Sequence, residues 1–501
     1  MGVVIRQSFK ASVVSYLGAA IGALVTIFLY PYFLTPELIG LTRLLLDTAI
    51  FFAFFAQLGI PNAITKFYPK FKEYRLNQSV FWYITLFPIL SFIIVGGIFI
   101  LFWDNFIALF TVNSSLFVTY CAAVIPIAFF TMYQNIYEEY SANLYLITVP
   151  KFIREILIRI CTVGTILLFA LWHLGITEYI AMIVMTYFLA ALLNMVYVFR
   201  ISGSHFRTFS LQPIPKTLFK ETGSFMAFMF ITGIGTNLVA RIDTLMIGSL
   251  SGLQQTGIYA IAFFIAVIIE IPSRSAIQIT SPILAEALKK NDIGKVDDIY
   301  KRNTLNQAII AGFIFVMLWI NIDNIFRLMP NGHLFESGKY VVLAIGLTKI
   351  IDVTTGLNNQ IILYSKYYRY SLLWVIGLGF INILLNLILI PRLGITGAGI
   401  ATLLSLTIMN IFALYLVHNK LGTQPFTLRS ILVFALYMLC FGVNYFIPRI
   451  DNLFLDIGSR SLIISALYLF VTLRFKLSKD ISETIQKFVN IKEFLKFIKG
   501  E

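Results

Sequence analysis

Charge is scarce in this sequence. Only 12% of its 501 residues are Asp, Glu, Lys or Arg, while 59% are hydrophobic. A soluble domain carries about 25% charged and about 45–50% apolar residues. Too little polar surface is present to cover a soluble fold. Cysteine is scarcer still: Cys121, Cys161 and Cys440 all lie in apolar stretches and none forms a CxxC. That excludes a disulfide framework and a thiolate metal site. His173, His205, His333 and His418 are far apart, and no HExxH, Walker loop or dinucleotide fingerprint occurs. These absences argue against ATP hydrolysis, metal and cofactor. The expectation is no cofactor, no metal and no catalytic residues, hence not an enzyme.

Long apolar runs take the place of what is missing. The mean hydropathy is +0.86, and segments of about 18 residues or more recur from end to end, the signature of spanning helices. About fourteen are expected, among them 8–33, 41–62, 153–173, 222–248, 257–281, 340–364, 370–391, 395–416 and 458–473. The first runs on to about Phe33, too long for the apolar core of a signal peptide, and reads as an uncleaved helix.

The basic residues give an orientation. With the N-terminus inside and fourteen alternating spans, inner segments hold 29 Lys/Arg and outer segments six, Arg43, Arg327, Lys339, Arg392, Arg449 and Arg460. Positive loops stay cytoplasmic, so both termini are expected inside, in a cytoplasmic (inner) cell membrane. The net charge of +14 is therefore a topology and lipid-surface signal. The charges are dispersed over short loops, which argues against nucleic acid as a partner.

The segment 200–220, RISGSHFRTFSLQPIPKTLFK, carries Pro213 and Pro215 and falls after six spans. It divides the chain into an N-terminal lobe, 1–215, a second lobe, 216–420, and a C-terminal part, 421–501. Six spans plus six around a central linker is a frequent transporter plan. A weak echo links TPELIG at 35–40 to GLQQTG at 252–257, each opening an even-numbered span and ending on glycine. In the last 25 residues Ile481, Ile485, Phe488, Ile491, Leu495 and Ile498 recur at helical spacing among lysines. They read as an amphipathic helix lying on the inner membrane surface or packing on the bundle.

Charges inside the spans are the candidate functional residues, because each costs a few kcal/mol at bilayer depth, by lower estimates roughly 2.5–3.5. Arg43 and Asp47, Glu270 and Arg274, and Lys349 and Asp352 stand three or four residues apart, so each pair shares a helix face. Arg241 and Asp243 are two apart, on nearly opposite faces, and need partners from another helix, water or a ligand. In one reading they pair with neighbouring helices or reach the interface. In the other, Arg241 faces a wet cavity and its fork of donors meets a pyrophosphate. Arg241, Lys349, Arg274 and Arg43 are the candidate cargo-binding cations. Asp243, Asp47, Glu270 and Asp352 are the candidates for ion coupling. Tyr133, Gln134, Asn135, Tyr137 and Tyr140, and Asn358, Asn359 and Gln360, form polar clusters that suit either a sugar site or an interfacial belt.

Three stretches carry a family resemblance. FLTPELIGLTRLLLD at 33–47, RIDTLMIGSLSGLQQTGIYAIA at 241–262 and PRLGITGAGIATLLS at 391–405 resemble the polysaccharide and O-antigen-type oligosaccharide-lipid flippases of the multidrug/oligosaccharidyl-lipid/polysaccharide (MOP) exporter superfamily. The resemblance implies an all-α integral membrane protein with two six-helix lobes plus two C-terminal helices. It implies a role in cell-surface polysaccharide or lipopolysaccharide biosynthesis. The cargo would be a polyprenyl-pyrophosphate-linked oligosaccharide, moved to the outer leaflet by alternating access. Partners would be that lipid, the bilayer, and polysaccharide polymerases and glycosyltransferases. The related lipid II flippases use a cluster of arginines in a cavity, whereas the first helix here begins with Lys10 alone, so peptidoglycan precursor is not assigned. The alternatives are a gradient-driven multidrug-type exporter of the same fold and a membrane polymerase or glycosyltransferase.

Overall fold

The computed structural model describes residues 2–202 and 211–483. Among them all regular secondary structure is helical, as a backbone with no water to bond to requires. The expected amphipathic tail beyond residue 483 lies outside the described residues.

Eleven helices are long and apolar enough to cross a membrane, or twelve if the bent pair Glu336–Thr355 and Asn358–Tyr364 is one span. Fourteen were expected, and the difference has two sources. The expected spans 370–391 and 395–416 are two helices joined at a kink within the run Arg369–Leu421, of 53 residues, which counts once. At 1.5 Å per residue that is ~80 Å, more than twice a bilayer core. Gly394, at φ 59 and ψ −140, interrupts it. The expected span 153–173 is helical without a break, Thr148–Phe152, Ile153–Leu157 and Ile158–Leu171 in succession, but Arg154, Glu155 and Arg159 charge its first half, so it falls outside the apolar spans.

By packing, the chain forms two compact units, Met1–Ile261 with Asn386–Ile395, and Ala262–Leu385 with Thr396–Glu501. The first unit takes in the helix Lys216–Leu250, which packs along Pro36–Gln57 and Ile60–Glu73. Thr35 starts the Pro36–Gln57 helix: its hydroxyl accepts from the Leu38 N–H at 3.3 Å, and Pro36 supplies a preset first turn. Leu58 and Gly59 end it in left-handed conformations, φ 46 and 76. A side chain at Gly59 would press on the Met226 carbonyl at 2.6 Å.

The two short stretches that echo each other in sequence meet in space. A Cβ on Gly40 would strike the Leu253 carbonyl, and a Cβ on Gly257 would strike the Pro36 carbonyl. Each glycine thus faces the residue four before the other, a reciprocal crossing that only two glycines allow.

In the second unit the core lies between Ile293–Ile320, Leu428–Phe446 and Leu453–Arg474. Tyr437 and Tyr468 donate to the Ala308 and Ile309 carbonyls at 2.5 and 2.8 Å, tying the last two spans to the first. Arg460 is 6% exposed. It is neutralised by Asp456 at 2.9 Å and donates to Asn444 Oδ1 at 2.9 Å.

Candidate functional site: two bridged carboxylates

Among the described residues several carboxylates stand between two cations, Glu155 between Arg154 and Arg159 and Asp323 between Lys339 and Arg449 among them; the two that involve the candidate residues are Asp47 in the first unit and Glu270 in the second. In the first, Asp47 stands midway along Pro36–Gln57 and is 1% exposed. Arg43, one turn earlier, brings Nε to 2.7 Å from Asp47 Oδ2. Arg241, from Lys216–Leu250, brings a guanidinium nitrogen to 2.5 Å from Asp47 Oδ1. The Arg241 contact is a hydrogen bond. The Arg43 contact is close but poorly aligned, leaving Oδ2 without a hydrogen-bond donor, so that half of the bridge is charge attraction. Arg241 Nε is buried with no acceptor among the described residues. Tyr30 and Tyr187 lie within electrostatic reach of Arg43.

Arg241 and Asp243 project apart, as their spacing requires, and both find partners on other segments of this unit. Asp243, 7% exposed, accepts from the Tyr259 hydroxyl at 2.9 Å and from Asn386 Nδ2 at 2.8 Å. A cation two residues away is therefore not its counterion.

In the second unit Glu270 ends a one-turn 3₁₀ segment, Ile268–Glu270, ahead of Ile271–Lys289. Pro272 has no N–H to continue the α-helical ladder, which accounts for the break. Arg274 Nε lies 3.2 Å from Glu270 Oε1, and Lys349 Nζ lies 2.6 Å from Oε2. The expected Lys349–Asp352 pair is thus replaced by one between helices: Lys349 reaches Glu270 because the kinked turn presents that carboxylate to it. Asp352 is partly buried one turn beyond.

The polar clusters of the sequence divide. Tyr133, Gln134, Tyr137 and Tyr140 are buried, and the Tyr133 hydroxyl donates to the Thr85 carbonyl at 2.6 Å. Asn358 is buried and accepts from the Tyr300 hydroxyl. Asn135 lines a cavity with Gln57 and Asn237. Sequence reasoning missed Tyr259 and Asn386. The signal available for Asn386 was its spacing four residues after Asn382 inside an apolar run.

With this geometry the relatives can be weighed. Residues 5–288, more than half of the chain, match the family described as polysaccharide biosynthesis protein. The chain belongs to that family. A probable flippase, AglR, of Haloferax volcanii is 24% identical over 190 residues, which span 37% of this chain and 39% of that relative's length. Among solved structures, the lipid II flippase MurJ in an inward closed conformation superposes with a TM-score of 0.70 at 14% identity, over 93% of this chain and 99% of that one. An inward-facing multidrug resistance MATE family transporter of the MOP superfamily gives 0.63 at 12%, over 81% and 94%. Its outward-facing counterpart gives 0.53 at 13%, over 84% and 95%. At these identities the likeness is one of fold: this is a multi-pass membrane protein that shares the fold of those structures.

Proposed function

We propose that this protein flips a polyprenyl-pyrophosphate-linked oligosaccharide from the cytoplasmic to the outer leaflet by alternating access, leaving the glycan chemically unchanged. One observation carries the reading: the Asp47 cluster holds two guanidinium groups against one carboxylate, and Arg241 Nε is a buried donor with no acceptor among the described residues. A surplus positive charge with an unused donor at bilayer depth is costly for a scaffold. It suits an anion whose oxygens accept from a planar fork. The Glu270 cluster repeats the bridge of one carboxylate by two cations, with Arg274 59% exposed, and has Asp352 nearby. Arg43, Arg241, Arg274 and Lys349 are the cations assigned to the pyrophosphate, and Asp47, Asp243, Glu270 and Asp352 are the carboxylates available for ion coupling.

The inner-side excess of Lys and Arg supports a cytoplasmic membrane location with both termini inside. Glycosyltransferases that build the lipid-linked unit and a polymerase that uses it are the natural partners. The test is reconstitution into liposomes with a labelled lipid-linked oligosaccharide. Added protein should expose the inner-leaflet pool to an external lectin, with the glycan unchanged by mass. A lengthened glycan would establish a polymerase or transferase. Efflux of a cationic dye without lipid flipping would establish a multidrug exporter.

A further inference from the structure

A cavity of about 380 Å³ opens in the first unit between Pro36–Gln57, Ile60–Glu73 with the turn before it, Val124–Asn143 and Lys216–Leu250. That is within the roughly 300–1,000 Å³ of small-molecule sites. Its chemistry is the reverse of the charged cluster. None of its lining residues is charged, and its polar groups include the carboxamides of Gln57, Asn62, Asn135 and Asn237 and the hydroxyl of Thr232. Phe54 adds an aromatic wall, held by stacking on Phe230 at 5.8 Å and seated over Gly233, where any Cβ would meet the ring.

Two of these polar groups are occupied locally. Asn237 donates to the Gly233 carbonyl at 3.1 Å and Thr232 to that of Phe228 at 2.9 Å. Gln57 is 7% exposed and lines the cavity. A carboxamide that both donates and accepts, beside an aromatic face, matches a polyhydroxylated ring with one apolar side.

The position of the cavity matters as much as its lining. On Pro36–Gln57 the residues Arg43, Asp47, Ile50, Phe54 and Gln57 follow each other at spacings of three and four, and on Lys216–Leu250 so do Arg241, Asn237, Gly233 and Met229. The charged cluster and the cavity therefore occupy one continuous face of the same two helices. Seven residues separate Asp47 from Phe54, ~10 Å along the axis.

We infer that this carboxamide cavity is a binding subsite for uncharged sugar rings, adjoining the charged cluster that takes the diphosphate. The inference rests on the lipid-linked cargo proposed above and adds to it a neutral, hydroxyl-reading pocket with Gln57 and Asn135 as ligands. It follows that the sugars nearest the lipid carry no charge that the cavity would have to neutralise.

The test compares two probes on the full chain in lipid nanodiscs: polyprenyl diphosphate, and the same lipid bearing a neutral hexose disaccharide. Wild type should bind the glycosylated lipid more tightly. Gln57→Met, nearly isosteric, and Asn135→Leu, at a less buried position, should each erase about tenfold of that preference, the scale of one or two hydrogen bonds. Both should keep wild-type affinity for the bare lipid, which also reports that they are folded. Wild-type preference retained in both variants, or equal wild-type affinity for the two lipids, overturns the sugar subsite while the flippase reading stands. Failure of wild type to bind either lipid overturns both.

Discussion

The Asp47 and Glu270 clusters share a plan and differ in rigidity. Asp47 is 1% exposed on an unbroken stretch of helix, between two guanidinium groups. Glu270 is 20% exposed at a 3₁₀ break ahead of Pro272, between a guanidinium and an ammonium. A buried carboxylate between planar cations has few alternatives. A half-wet one on a broken helix, paired with lysine's compact and strongly hydrated charge, can exchange partners at lower cost. The comparison teaches that one plan, a carboxylate between two cations, can be built once on rigid helix and once at a break where partners are freer to exchange.

The largest expected effect is on folding. Asp47→Asn leaves Arg43 and Arg241 facing each other without a counterion, and losing a buried partner costs about 3–5 kcal/mol. Glu270→Gln, with more solvent at the site, should cost about 1 kcal/mol. Thermal unfolding in detergent measures both, and equal shifts in Tm would erase the distinction.

A second pair of variants sharpens the roles of the cations. Arg241→Lys keeps charge and loses the fork, and flipping should fall about tenfold, the loss of one charge-assisted bond. Lys349→Arg keeps charge and adds donors, and flipping should stay within roughly threefold of wild type. Comparable losses in the two would show that charge alone is read at both clusters. The glycine crossing offers a third contrast. Gly40→Ala places a Cβ against the Leu253 carbonyl, so it should lower Tm by a steric clash, whereas Gly394→Ala, with open space around its Cβ but φ 59 and ψ −140, should lower it through backbone strain alone, about 1–3 kcal/mol.

The smallest effect lies outside the membrane spans. Hydrogen bonding from Arg302 at 2.7 Å holds the Asp480 carboxyl below its usual range. A depressed folded-state pKa contributes stability at pH above the unfolded value, about 3.9, and loses it as pH falls from there through the folded value. The pair is largely solvated, so the contribution is at most about 1 kcal/mol. Asp480→Asn should flatten the acid limb of the stability–pH curve below about pH 4 and leave it unchanged at pH 7.

Much of this was legible in residue types and spacing. The membrane class followed from apolar runs, and the pairs Arg43–Asp47 and Glu270–Arg274 from helical spacing, since i and i+4 face each other whatever the tertiary fold. What crosses between helices was not legible. Nothing local ties Arg241 to Asp47, 194 residues earlier, or takes Lys349 from the nearby Asp352 to Glu270. The count of fourteen spans is not confirmed: Gly394 joins two expected spans into one run, and Arg154, Glu155 and Arg159 charge the first half of another. The carboxamide cavity was visible only as Asn135 in a tyrosine-rich stretch, because its other walls come from three distant helices.

The most direct measurement is the affinity of polyprenyl diphosphate for wild type and for Arg241→Ala, by calorimetry in nanodiscs at two salt concentrations. If Arg241 supplies the surplus charge and the unused donor, the substitution should weaken binding at least tenfold, and the variant should show a shallower salt dependence than wild type. Unchanged affinity in a folded Arg241→Ala protein would mean that Arg241 exists to neutralise Asp47, and that the cluster is a structural bridge rather than an anion receptor.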